Sequence, residues 1–366
     1  PVTQNLADCV WHAVDALIQG RAVRLHEKEE GELRSLSGKT NNSSIKFRDG
    51  TVVWKGLVLL AGLKQNAYEQ KALSQKLCFC RIKRGRIRGK TRYFVELVLR
   101  GRPPGKDSEP SSADSQTVGV KVGFHEAAAV SGKEAVLVPF PQKDRELERR
   151  KRELVRYMER SRRCSNPDNY LPDGKIRDGS AKWNYSNRYR RARTEYQELC
   201  RKQRALQRER QFLLARQVAA MGDRFYIEDI RFKRFGYTKP GSLAVQKNSP
   251  AAFLKILEQK LMQQGKELVL IEPFVLKTAG FNHLTGAYQK VPVRKSWRIV
   301  AGQKVNKKLY SAFLLRHVRE NSDGFDLEKC RKDFAVFLGL QEKCLKPCVG
   351  AAGTVLAPAQ ESARLA

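Results

Sequence analysis

The chain has 366 residues, 41% of them hydrophobic, and 71 Lys and Arg against 38 Asp and Glu, a formal net charge of +33. That length and apolar content suffice for two or three packed domains, and so large a positive charge excludes a protein that works without a polyanion, because the cations repel one another until phosphates neutralise them. A membrane surface is the rival polyanion, but no apolar run reaches the roughly 20 residues that span a bilayer, and no signal peptide is visible.

Eight cysteines are scattered along the chain and none forms a C-x-x-C pair. Cys78 with Cys80, and Cys344 with Cys348, lack the partner pair of a zinc site. Nothing resembles a disulfide framework. The expectation is a cytosolic, reduced protein without structural zinc.

Residues 1–75 are predicted to be mostly helical. Val10, Val14 and Leu17 recur at helical spacing, residues 59–73 carry a second such pattern, and 31–44 is a polar break. Residues 77–101, LCFCRIKRGRIRGKTRYFVELVLRG, read as two strands around a basic turn. Arg81, Lys83, Arg84, Arg86, Arg88, Lys90 and Arg92 crowd that turn. The cluster is either a solvated basic hairpin or, at this net charge, a nucleic-acid contact, and the second reading is preferred. The stretch GRPPGKDSEPSSADSQ, 101–116, is a linker.

From 117 the pattern changes to an antiparallel meander. Val118, Val120 and Val122 share one face of its first strand, with Gly119, Lys121 and Gly123 on the other. Two long basic helices are predicted over 141–164 and 181–220. Their apolar stripes are Leu147, Leu154, Tyr157 and Met158 on the first, and Tyr189, Tyr196, Leu199 and Leu206 on the second, read as core. The outer face, with Arg188, Arg190 and Arg191, suits RNA phosphates. RFYIEDI, 224–230, is a strand. Ser249 and Pro250 open a helix that Gly265 ends. A strand over 268–271, an irregular basic loop over 277–300 and an amphipathic helix over 309–318 follow, and the tail reads as frayed. Three strands, a helical pair, a strand, a helix, a strand and a helix fit an RNase H-like sheet.

At these residues a resemblance becomes specific. CRIKRGRIRGKTRYFVELVLRGRPP resembles the wedge segment of TnpB proteins, RNA-guided nucleases of insertion sequences related to small type V CRISPR effectors. SNPDNYLPDGKIRDGSAKWNYSNRYRRAR is similar to the helical insertion of their RuvC domain. TVGVKVG, RFYIEDI and VNKKLYSAFLL resemble its three motifs in order. The resemblance runs from about residue 50 to 320, and the family's first wedge strand and the start of its recognition lobe are absent or reduced. It implies an α/β multidomain chain: a helical recognition lobe over 1–76, a wedge β-hairpin over 77–104, a linker over 105–116, and a RuvC-like, RNase H-like domain over 117–318. That domain would contain the helical-hairpin insertion at 141–220 and the basic loop at 277–300, with a C-terminal tail over 319–366. A guide RNA and a double-stranded DNA target are the implied partners, in a prokaryotic cytoplasm at the nucleoid, with no membrane.

The implied catalytic set is broken. Where the family has an Asp between two glycines, this chain has Lys121. The second motif keeps Glu228. The third motif's Asp is replaced by Lys308. RuvC chemistry needs carboxylates converging on two divalent ions, and an ammonium repels them. The expectation is no enzyme, no catalytic magnesium and no zinc. Lys121 and Lys308 are expected to bracket Glu228 in a metal-free cluster. Its net single positive charge would match that of two dications with three carboxylates. Glu126 and Asp229 are judged unable to restore the site.

Relatives carry zinc-binding cysteines in the 277–300 loop. This chain has none there, and His283 is read as a loop histidine. Arg294, Lys295, Trp297 and Arg298 suit phosphate contact and stacking, with Trp297 equally readable as a core anchor. The leading expectation is RNA-guided DNA binding without cleavage, giving transcriptional repression. An active guided endonuclease and a structured-RNA-binding or assembly component are the alternatives.

Overall fold

A computed structural model describes residues 2–25, 31–42, 44–64, 66–101, 116–141, 143–177, 182–230, 232, 248–289 and 295–346. The chain is mixed α/β and divides into two units, Pro1–Lys106 with Arg149–Arg201, and Asp107–Glu148 with Lys202–Ala366.

The N-terminal part of the first unit mixes strands with helices. After helix α1 (Val2–Ile18) come four short strands, β1 (Ser35–Ser37), β2 (Lys46–Arg48), β3 (Thr51–Trp54) and β4 (Leu57–Leu60), then the short helix α2 (Ala67–Leu73). The expectation of a mostly helical 1–75 is therefore corrected. The apparent helical pattern over 59–73 joins the end of a strand, a turn and a seven-residue helix. The hairpin β5 (Lys76–Ile87) and β6 (Lys90–Arg100) is present, and β1 pairs onto β5 with Leu36 opposite Ile82. Arg88 and Gly89 close the hairpin at φ +50 and +75, the two positive values that match a turn to the strands' twist. Ile45, Val52 and Cys80 form a small core, flanked by Phe47, Trp54, Val95 and Leu97. The N-terminal segment and the hairpin thus share one core.

Helix α3 (Arg145–Ser165) begins in the second unit and runs into the first; helix α4 (Asn187–Ala219) begins in the first and ends in the second. They are tied by Arg150 to Glu195 at 2.9 Å and, through the loop, by Asn166 to Asn184 at 2.6 and 2.8 Å. Their predicted core stripe is only partly a core. Leu154 is buried, whereas Tyr157 and Leu206 are exposed.

The second unit holds a five-stranded sheet of β7 (Thr117–Val122), β8 (Glu126–Val130), β9 (Ala135–Pro139), β10 (Arg224–Glu228) and β11 (Glu267–Ile271), in the order β11-β10-β7-β8-β9. β8 is antiparallel to its neighbours, and β10 and β11 run parallel to β7. Val118, Val120, Val122, Phe225 and Ile227 face the end of α4 and helix α5 (Pro250–Gln263). Ala128, Val130 and Tyr226 face helices α7 (Lys307–Arg316) and α8 (Leu327–Leu345). The layers are helix, sheet, helix. Gly119 is required on the α7 side, because a Cβ there would lie 1.9 Å from the Ala312 carbonyl oxygen.

Three local expectations change. Ser249 precedes α5 in the left-handed region, φ +51, and makes no side-chain cap. The 277–300 stretch contains a four-residue strand, β12 (Trp297–Val300), paired with β13 (Gln303–Asn306). The tail is not frayed over its first half: α8 buries Cys330, Phe334 and Phe337 against α7. Phe334, Phe337, Leu338 and Gln341 recur at helical spacing, which is why that face packs. Most of the predicted linker and residues 347–366 lie outside the described residues. A short helix α6 (Pro273–Leu276) completes the elements used below.

Candidate functional site

The parallel register pairs Ile227 of β10 with Val120 of β7. The next residues, Glu228 and Lys121, therefore sit side by side on the α7 face. Lys121 Nζ donates to Glu228 Oε2, and Thr278, just beyond α6, donates its hydroxyl to Glu228 Oε1. Lys121 Nζ also lies 3.4 Å from that hydroxyl. Glu228 and Thr278 are 3% and 1% exposed. Burying a carboxylate is costly unless it is paired and hydrogen-bonded, and Glu228 is both.

Lys308 departs from expectation. It stands in the first turn of α7, whose N-cap Asn306 accepts from the Lys308 and Leu309 amides at 3.0 and 3.2 Å. Its ammonium pairs with Glu126 Oε1 at 2.7 Å, not with Glu228. The predicted bracket around Glu228 is thus two adjacent pairs, Lys121–Glu228 and Lys308–Glu126, and the cluster is neutral instead of singly positive. Glu126 neutralises the lysine. A cation in the first turn opposes the helix dipole, so a partner carboxylate compensates it. Lys307, beside them, has its pKa lowered by burial first and by Lys308 and Lys121 second.

These residues do not fit a pair of magnesium ions. Both carboxylates are held by ammonium groups where the resemblance implies further carboxylate ligands, and magnesium takes oxygen ligands. Asp229 is exposed, with its amide bound to Ile271 O at 2.9 Å.

The predicted nucleic-acid contacts separate into two groups. Arg81 and Lys83 share Glu96, Arg81 Nε also donates to Ser37 Oγ at 2.6 Å, and Arg84 donates to the Gly31 carbonyl. Those three hold the β1-β5-β6 sheet together. Arg86, Arg88, Lys90 and Arg92 are exposed at the hairpin tip, without an ion-pair partner among the described residues. Tyr93 is 66% exposed and Phe94 46% exposed beside them. Strand alternation hid these two rings as stacking candidates; aromatics interleaved with arginines are the signal that could have found them.

The hairpin tip meets α4. The Arg88 amide donates to Glu198 at 3.2 Å, and a Cβ at Gly89 would lie 3.0 Å from Thr194. A cleft of about 590 Å³ results, lined by Arg88, Asn187, Arg190, Arg191, Thr194, Glu195 and Glu198. Its two acids are engaged, Glu195 by Arg150 and Glu198 by Arg201. Arg88, Arg190 and Arg191 make no ion pair among the described residues, so the cleft presents guanidinium groups to an anion. Arg188 is exposed on the same helix but does not line the cleft. Replacing Arg88, Arg190 and Arg191 together by Gln should reduce the salt slope of RNA binding by about 2–3 and weaken binding about tenfold or more. Fluorescence anisotropy over a salt series reads this, and an unchanged slope would remove the cleft from the interface. The melting temperature should not move.

The 277–300 segment is corrected residue by residue. Arg294 lies outside the described residues. Lys295 is exposed, and Trp297 is 37% exposed with Lys304 Nζ 5.0 Å from its ring centre. Trp297 is therefore not a core anchor. Arg298 is 7% exposed; it donates to the Ala279 and Phe281 carbonyls at 3.3 and 3.0 Å and stacks on Tyr310 at 5.0 Å. It clamps the segment and is not available to a phosphate. His283 is not a loop histidine. It is fully buried, its amide and Nδ1 both meet the Tyr310 hydroxyl, at 3.2 and 2.8 Å, and its ring packs on Phe334. Burial first, then His317, Arg331 and Arg298, push its pKa down to about 4.

No helix among the described residues is long and apolar enough to cross a membrane. No family model and no curated protein matches this sequence. Among solved structures, the chain is similar to one described as "Cryo-EM structure of CRISPR-Cas12f Ternary Complex", with 14% identity and a TM-score of 0.33, over 69% of this chain and 49% of that one. The chain thus spans about half the length of the structure it matches.

Proposed function

We propose that this chain binds a guide RNA and, through that RNA, double-stranded DNA, without cutting it, so that a bound promoter is closed to transcription. The observation that carries the reading is the Lys121–Glu228 pair with Lys308 held on Glu126, where a RuvC-type nuclease would gather metal ligands. The strand order β11-β10-β7-β8-β9, with only β8 reversed, supports an RNase H-like core for the domain, and the two helices α3 and α4 between β9 and β10 support the reading of a helical insertion. Lys121 and Glu228 lie at the carboxyl ends of parallel strands, where sites of open α/β sheets form. The net charge of +33 supports a nucleic-acid partner. Base pairing would supply sequence choice and the protein the basic surface.

The test is to purify the full chain with its RNA, sequence that RNA, and add guide-matched duplex DNA in magnesium. One discrete RNA, tight binding of matched DNA and no cut product is the expected result. A cut product would return the chain to the nucleases. A heterogeneous RNA population with no preference for matched DNA would leave an RNA-binding protein.

A further inference from the structure

The second unit contains a cavity of about 610 Å³ at the opposite end of the sheet from Lys121 and Glu228. It is lined by the start of β7 and β10, at Thr117 and Arg224, by the β8–β9 turn, the end of α7 and the start of α8. The volume is that of a small-molecule site, which usually falls between about 300 and 1,000 Å³.

Charge defines what it would hold. Lys133, Arg224, Arg316, Arg319 and Lys329 line it, against Glu320, Asp326 and Asp333. The lining therefore carries an excess of two positive charges. All three acids are already engaged. Asp333 accepts from Arg316 at 2.9 Å and lies 3.1 Å from His317 Nε2. Asp326 accepts the Lys329 amide as the cap of α8, with the Lys329 ammonium 3.2 Å away. Glu320, 89% exposed, pairs with Arg224 Nη1 at 3.5 Å. The Lys133 amide donates to Ser131 Oγ at 3.3 Å, while its ammonium makes no ion pair among the described residues.

The neutral lining is also polar and unspent. Tyr226 is 2% exposed, yet its hydroxyl makes no hydrogen bond among the described residues. A hydroxyl that faces a cavity is satisfied by whatever enters. Arg224 stacks on the same ring, 5.6 Å from its centre. Its Nε is buried and makes no hydrogen bond; Glu267 Oε2 lies 3.0 Å away, off the N–H direction.

We infer that this cavity is a second anion site, separate from the former metal position, that binds a phosphate monoester of nucleotide size. A monoester carries up to two negative charges near neutral pH, which match the excess of the lining. Tyr226 donates its hydroxyl to a phosphate oxygen, and Lys133 and Arg224 supply the charge. The phosphate belongs either to a free nucleotide or to the 5′ end of an RNA strand.

The full chain is titrated at about 0.15 M salt with inorganic phosphate, with adenosine 5′-monophosphate, and with one short RNA carrying a 5′ phosphate or a 5′ hydroxyl. A saturable one-to-one site for the monophosphate is expected, weakened about tenfold by Tyr226→Phe and again by Lys133→Gln. Tyr226→Phe changes no charge, so general attraction to a basic protein would not respond to it. Melting temperatures of both variants should stay at the wild-type value. A preference for 5′-phosphorylated RNA, lost in Tyr226→Phe, assigns the phosphate to an RNA end. Saturable nucleotide binding without that preference assigns it to a free nucleotide. Absence of saturable binding to all probes, or equal binding by the wild type and Tyr226→Phe, overturns the inference.

Discussion

Replacing Lys121 by Met should destabilise the second unit by about 3–5 kcal/mol, because it leaves a buried glutamate without its counter-charge. Glu228 is 3% exposed, and after the change only the Thr278 hydroxyl would remain on it. Methionine keeps most of the lysine's length and apolar contact, so the loss reports the charge more than the packing. The double variant Lys121→Met/Glu228→Gln should recover most of it. Glutamine still accepts from Thr278 and needs no cation, and neutralising both partners of a buried pair is often close to neutral in stability. Chemical denaturation of both variants, with the second unit's transition followed separately, reads the difference. If the double variant is as unstable as the single one, the pair is not what holds this end of the sheet. Lys308→Met should have a smaller effect, since Lys308 and Glu126 are 28% and 16% exposed and water compensates part of the lost pairing.

Acid should loosen the same unit through His283. Its pKa falls from 6.5 to about 4 on folding, because the fully buried ring is kept neutral. Between those values the unfolded chain binds a proton that the folded chain does not. Stability is therefore fully present above pH 6.5 and is lost as the pH falls toward 4. A shift of that size corresponds to about 3 kcal/mol. His317 is shifted in the same direction, by burial first, and adds to the trend below its ordinary value. Asp333, held below the usual carboxylate range by His317 and Arg316 against the opposing effect of burial, adds a further loss only at lower pH. His283→Gln keeps a polar group for the Tyr310 hydroxyl and removes the titration. Urea midpoints from pH 7.5 to 4.5 should fall steeply for the wild type and less for the variant. Parallel curves would mean that His283 is not the group that titrates.

The physical role of this segment changes with its burial. Arg294, Lys295, Trp297 and Arg298 look alike in sequence as a basic, aromatic loop. Arg298 instead caps two backbone carbonyls and lies on Tyr310, while His283 shares the Tyr310 hydroxyl. These contacts hold Ala279, Phe281, His283 and Arg298 onto α7 by hydrogen bonds and ring packing. Charge density alone does not separate a clamp from a phosphate contact, because the distinction is made by the carbonyls an arginine happens to reach.

Several features were determined by the sequence alone. The alternation of Val118, Val120 and Val122 with Gly119, Lys121 and Gly123 assigned the two faces of β7, since a strand's period of two is built into its backbone. The order of strands and helices after residue 117 and the basic hairpin were equally legible. The three- and four-residue strands of the first unit were not, because such runs are too short to show a period and are stabilised by pairing with β5 and with one another. Tertiary structure alone decided which glutamate each lysine takes. Lys121 reaches Glu228 across 107 residues of sequence and Lys308 reaches Glu126 across 182. Both choices follow from strand register and from the seat of α7 over Gly119, and a buried charge settles on whichever opposite charge the packing brings within reach.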